Sequence, residues 1–94
     1  MTSKRRAYLK GCAMTMDDIL HIGKDGVTPE FTQSVDEALE ARELIKLNVL
    51  KNCVDDIREL ANTLSARTHS EVIQVIGRKI VLFRQAKENS KYAE

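Results

Sequence analysis

Ile19-Leu20-His21-Ile22-Gly23-Lys24-Asp25-Gly26-Val27-Thr28-Pro29-Glu30-Phe31 is the stretch on which the fold turns. Ile19 to Ile22 are apolar apart from His21 and end at a glycine, which predicts a short strand. Thr28 is an N-cap residue type and Pro29 follows at the first helical position, where its missing N–H costs nothing. Phe31, Val35, Ala38 and Leu39 then recur at helical spacing, so residues 29–43 read as a helix with one buried face. A strand thus passes through the two-glycine loop Gly23-Lys24-Asp25-Gly26 straight into a helix.

Working outward, Leu44 to Leu50 alternates from Ile45 onward, with Ile45, Leu47 and Val49 on one face and Lys46 and Asn48 on the other. That period of two is a strand. Asn52 is a candidate cap for the next helix, with Asp55 and Asp56 in its first turn, where the dipole favours acids. Ile57, Leu60, Ala61 and Leu64 form that helix's inner stripe. Val72 to Ile76 and Ile80 to Phe83 read as strands joined by the turn Gly77-Arg78-Lys79. Upstream, residues 3–14 form a short helix, with Ser3 as its expected cap and Tyr8, Leu9 and Cys12 as its apolar stripe.

The order αβαβαββ places the chain in the α/β (α+β) class, with a mixed four-stranded sheet and three helices. Strands separated by helices imply parallel pairing, and the last two form an antiparallel hairpin. Residues 1–87 are expected to be one domain and residues 88–94 a flexible tail, the polar stretch beginning near residue 85.

The chain has 94 residues, 43% hydrophobic and 31% charged, with a net charge of +1. One domain with one real core fits that length. The charge is unevenly spread: residues 1–10 carry +4, residues 11–45 carry −6 and residues 46–94 carry +3. Basic ends around an acidic middle allow one basic face on a nearly neutral molecule. No apolar run approaches a membrane span, and the N-terminus lacks an apolar signal segment. A cytoplasmic protein with free thiols at Cys12 and Cys53 is expected.

The loop Gly23-Lys24-Asp25-Gly26 carries the chemistry. Glycines admit backbone conformations that other residues resist and leave room for a ligand. The loop feeds a helix N-terminus, whose unpaired N–H groups and dipole favour an anion, and Lys24 adds a positive charge. A nucleic-acid phosphate suits it, and GxxG loops clamp single strands in KH modules. An ordinary strand-to-helix turn is the competing reading, since Asp25-Gly26 is a common turn dipeptide. Further basic clusters are Lys4, Arg5, Arg6 and Lys10 in the first helix, and Arg78, Lys79 and Arg84 around the last strand; a solvated surface explains each equally well.

Catalytic and metal patterns are poor. Cys12, His21, Cys53 and His69 lack paired zinc-ligand spacing. Adjacent acids such as Asp36-Glu37 do not face one another on a helix. Neither Walker-type nor dinucleotide-type glycine motifs occur. Neither an enzyme nor a cofactor, a metal or a small-molecule substrate is expected. Aromatics are 4% of the chain, too few for a stacking platform.

Leu9-Lys10-Gly11, Ile22-Gly23-Lys24-Asp25-Gly26-Val27-Thr28, Glu43-Leu44-Ile45-Lys46-Leu47 and Val75-Ile76-Gly77-Arg78-Lys79-Ile80-Val81-Leu82-Phe83-Arg84 occur in order over residues 6–87. Their ordered combination resembles the CRM domain family, whose free-standing bacterial members are YhbY-like proteins. The resemblance implies a fold similar to KH modules and to the C-terminal domain of translation initiation factor three. It implies RNA as the partner, with the GxxG loop as a contact. For the bacterial form it implies ribosomal RNA in precursors of the large subunit, and a role in ribosome assembly. Asp25 departs from the family pattern, in which that position is uncharged, and an acid there partly offsets Lys24. RNA contacts are expected at Gly23, Lys24, Asp25, Gly26, Arg5, Arg6, Lys10, Arg78, Lys79 and Arg84, gathered into one discontinuous surface. A protein–protein adaptor on the same fold is the alternative.

Overall fold

The computed structural model describes residues 1–92. Its elements follow the predicted order: α1 (Ser3–Met14), β1 (Leu20–Ile22), α2 (Pro29–Arg42), β2 (Leu44–Val49), α3 (Ile57–Thr68), β3 (Glu71–Ile76) and β4 (Lys79–Phe83). Thr28 caps α2 as expected, its hydroxyl accepting the Phe31 N–H at 3.0 Å. Two other caps differ from the sequence expectation. Thr2 rather than Ser3 caps α1, accepting from Arg5 N–H. Asp56 rather than Asn52 caps α3, accepting from the Arg58 and Glu59 N–H groups. Asn52 is taken by a turn that the Cys53 N–H closes onto the Leu50 carbonyl, so α3 starts four residues later.

The sheet order is β1-β2-β4-β3. β1 runs parallel to β2, and β4 is antiparallel to both β2 and β3. The α3 crossover therefore skips one position, which β4 fills by returning from the hairpin. β2 sits centrally and is buried on both faces near its start, at Leu44 and Ile45.

Strand alternation sorts the apolar side chains into two cores. Ile22, Ile45, Leu47, Val49, Ile80 and Leu82 meet Val35 and Leu39 of α2 and Leu60, Ala61 and Leu64 of α3. On the other face Leu44, Val81, Phe83 and Ile73 meet Leu9 and Ala13 of α1. Each fully buried Leu or Ile contributes about 1.5–3 kcal/mol relative to exposure. The face under α1 is reached through a β-bulge between Val72 and Gln74. Val72 turns toward the larger core and Ile73 toward α1. Arg6 donates to the carbonyls of Val72 (2.6 Å) and Ile73 (3.2 Å), holding the bulge.

The polar stretch after β4, which includes most of the expected tail at 88–94, makes contacts back to the domain through residue 92; residues 93 and 94 lie outside the described residues. Buried Glu43 accepts hydrogen bonds from Ala86 N–H, Lys91 N–H and the Ser90 hydroxyl. Tyr92 meets Phe83 edge-on, with ring centroids 6.0 Å apart. Burial alone would raise the Glu43 pKa, but those hydrogen bonds outweigh it and hold the carboxyl below its usual range. Glu43 also has φ +68°, a strained backbone for a residue with a side chain.

Register fixes which features share an end of the sheet. Ile22 lies beside Val49, and Asn48 beside Lys79, so the loop after β1, the turn after β2 and the β3–β4 hairpin gather at one end. Leu44 pairs with Phe83 at the other end, about 17 Å away along β2.

Candidate nucleic-acid interface

The two-glycine loop is a turn closed by the Gly26 N–H donating to the Gly23 carbonyl at 3.1 Å. Lys24 and Asp25 occupy its two central positions and are exposed. Gly26 is buried with φ +66°, and a Cβ there would lie 2.8 Å from an Asp55 carboxylate oxygen. The positive φ is what calls for glycine, since the exposed Asp55 side chain can turn aside. A second turn lies alongside, because the Leu50 N–H donates to the Ile22 carbonyl and Asn52 borders Gly23. Lys51 is exposed at its tip. Lys51 is not among the residues the sequence marks as contacts. Its signal was Leu50-Lys51-Asn52-Cys53, a polar pair after a strand, which was read as a helix start.

Only part of the expected basic surface comes together. Lys24, Arg78 and Lys79 share the loop end of the sheet. Arg78 reaches inward: its Nε donates to the Val49 carbonyl at 2.7 Å, and its Nη2 to the Leu50 and Cys53 carbonyls. It clamps the second turn against the hairpin. Lys79 pairs with Asp18 at 3.0 Å, and His21 Nδ1 lies 3.6 Å from the same carboxylate. The Lys79 hydrogen bond is the main reason that the Asp18 pKa is lowered.

The remaining arginines do not join Lys24, contrary to the single surface the sequence suggests. Arg84 follows β4 at the opposite end. There it pairs with Asp36 (2.7 Å) and Glu40 (3.3 Å) and donates to the Thr68 carbonyl, tying α2 and α3 to the sheet. Arg5 lies 5.3 Å over the Phe83 ring and donates to Gln85 at that same end. Arg6 holds the bulge and lies 3.9 Å from Glu71. Lys10 is exposed on α1, on the face of the sheet away from α2 and α3. Charges clustered in sequence along α1 and β4 are separated by the direction in which each element runs.

Cys12 and Cys53 are free. Among the described residues, no group of three or more His, Cys, Asp or Glu could hold a metal ion, and no helix is long and apolar enough to cross a membrane.

Fold and site together define a small α+β domain in which an exposed two-glycine turn leads from an edge strand into a capped helix. Residues 1–84 match the CRS1 / YhbY (CRM) domain model, and the chain belongs to that family. It is similar to "Probable RNA-binding protein YqeI" of Bacillus subtilis, with 40% identity over 97% of this chain and 95% of that protein. A Haemophilus influenzae "RNA-binding protein" is 27% identical over 94% of this chain and 89% of its own length. The solution structure of SAV1595 from Staphylococcus aureus shares the fold at a TM-score of 0.82. It is 47% identical and covers 97% of this chain and 95% of that one.

Proposed function

We propose that this chain is a non-enzymatic RNA-binding protein of the cytoplasm that holds the RNA backbone at the loop end of its sheet. Its RNA is ribosomal, in precursors of the large subunit, and its role is in ribosome assembly. The observation that carries the RNA reading is the exposed Gly23–Gly26 turn with Lys24 at its tip, beside Lys51, in a chain whose relatives are named RNA-binding proteins. Neither lysine forms an ion pair or side-chain hydrogen bond among the described residues. Both ammonium groups are open to phosphate, and phosphate contacts position RNA without reading its sequence.

Asp25 and Asp55 stand close to the same turn and limit its charge. Affinity at this end is therefore expected to be modest, with a shallow salt dependence set by the few phosphate contacts. Fluorescence anisotropy with a labelled RNA, titrated with salt, tests this directly. Lys24→Ala and Lys51→Ala are each expected to reduce the log–log salt slope by about 0.7 on single strands, whatever the RNA sequence. A protein-only adaptor shows no RNA affinity above background. Co-sedimentation with large-subunit precursors in a cell extract tests the ribosomal part, and its absence alongside intact RNA binding would confine the proposal to RNA.

A further inference from the structure

α1 covers only half of its face of the sheet. Leu9 and Ala13 sit on Leu44, Val81, Phe83 and Ile73, toward the end remote from the two-glycine turn. Beyond α1, the Met16–Asp18 segment reaches over part of the face, its Met16 carbonyl accepting from Lys46 and its Asp18 pairing with Lys79, and the rest is exposed toward Ile76. Register places His21, Asn48, Lys79 and Ile76 in one row across all four strands, from edge to edge. The next row carries Lys46, Val81 and Gln74, of which Val81 is already buried under α1. Between these rows and α1 lies a groove of about 490 Å³, whose helix side is formed by Lys10, Gly11 and Met14. Ile76 is 58% exposed and Met14 79% exposed.

We propose that this groove takes an unpaired segment of RNA, its bases lying on the open sheet and its phosphates along Lys10, Lys46 and Lys79. The proposal rests on the RNA-binding reading and adds a second surface to it. Three features select the occupant. Charge is complementary: Lys10, Lys46 and Lys79 line the groove; Asp18 offsets Lys79 and the Met16 carbonyl holds Lys46, while Lys10 is exposed and makes no ion pair among the described residues. The floor offers amide side chains at Asn48 and Gln74, able to meet donors and acceptors on base edges, beside the exposed aliphatic surface of Ile76 and the ring of His21. Finally, the unpaired bases of a splayed strand can lie against exposed sheet side chains, whereas a duplex keeps its bases inside and offers only a rounded backbone. Gly11 leaves the wall open, with nothing within 4 Å of the place a Cβ would occupy.

The test uses the intact protein and two fluorescein-labelled probes, an unstructured oligouridine and an A-form RNA duplex of equal length. Ile76→Ser and Lys10→Ala alter exposed positions and leave the core untouched; circular dichroism melting confirms that each stays folded. Each is expected to weaken oligouridine binding about fivefold while changing duplex binding by less than twofold. Lys10→Ala is also expected to lower the salt slope by about 0.7. Lys24→Ala is the comparison. If it weakens RNA binding while both groove variants bind oligouridine like the parent, the groove assignment is overturned and the RNA reading stands. Equal losses on both probes would also overturn it, since the groove would then be reading backbone alone. If the parent binds neither probe, the RNA reading itself falls.

Discussion

Replacing Arg78 separates a guanidinium that shapes the site from one that touches a ligand. Its Nε donates to the Val49 carbonyl and its Nη2 to the Leu50 carbonyl, and the Cys53 contact at 3.4 Å adds little. Hydrogen bonds involving a charged group contribute about 1.5–3 kcal/mol each. Arg78 is only half-buried, so water can rejoin the freed carbonyls and recover part of that. Arg78→Ala is therefore expected to cost about 2–3 kcal/mol, which for a domain of this size lowers Tm by roughly 8–24 °C. Arg78→Lys keeps the charge but loses the planar fork, and is expected to cost about 1–2 kcal/mol. Urea and thermal unfolding followed by circular dichroism measure both. The Lys variant is the decisive one for binding. The clamped turn abuts Gly23 and Gly26 through Asn52 and Asp55, so loosening it is expected to weaken RNA binding although charge is unchanged. The salt slope should stay at the parent value. An Arg78→Ala protein within about 0.5 kcal/mol of the parent, with a salt slope lower by about 0.7 and binding fully restored by Lys, would show a phosphate contact and refute the clamp.

Gly26→Val is expected to cost about 1–3 kcal/mol, because φ +66° is forbidding for a β-branched residue, and to reduce RNA affinity more than Lys24→Ala does; unaltered urea unfolding would contradict it. Arg84→Ala should lose about 2–3 kcal/mol, from the ion pairs and carbonyl bond that tie α2 and α3 to β4, yet leave the RNA salt slope unchanged. The Glu43 carboxyl is held below its usual range in the folded chain, so the stability it supplies is fully present above the unfolded value near 4.5 and fades as pH falls through the lower folded value. Glu43→Gln should accordingly flatten the stability–pH profile on the acid side and speed amide exchange at Ala86 and Lys91; exchange unchanged from the parent would mean that the carboxylate does not hold the tail.

The element order was legible because local signals agreed with the global fold. Thr28-Pro29 marks a helix start by backbone chemistry alone, and Ile45, Leu47 and Val49 mark a strand face by their period. Strand order was not legible, because nothing local distinguishes β4 lying between β2 and β3 from β4 lying outside β3. The bulge was also hidden. Val72-Ile73-Gln74-Val75-Ile76 breaks strict alternation, and only Arg6, 66 residues away from Val72 in sequence, shows where the extra residue is held. The Gly23–Gly26 turn was found from its two glycines. Lys51 was missed because its importance comes from the turn beside it in space.

The basic residues divide by chemistry in a way their sequence positions conceal. Arg6, Arg78 and Arg84 each donate from a planar fork to backbone carbonyls at an irregular place: a bulge, a strand exit and a helix end. Such carbonyls are arranged as neighbouring acceptors, a geometry that several fixed donors satisfy and one ammonium does not. Lys10, Lys24 and Lys51 remain exposed and make no ion pair among the described residues. An ammonium on a flexible stem suits a phosphate whose position varies from one RNA to the next, and it gives attraction without bidentate specificity. Arg6, Arg78 and Arg84 therefore shape the surface, as do Lys46 and Lys79 through Met16 and Asp18, and on the proposed reading Lys10, Lys24 and Lys51 supply its attraction. Arginine-to-lysine exchanges should appear in stability, and lysine-to-alanine exchanges in salt dependence. A set of variants in which both classes moved both quantities equally would remove the distinction.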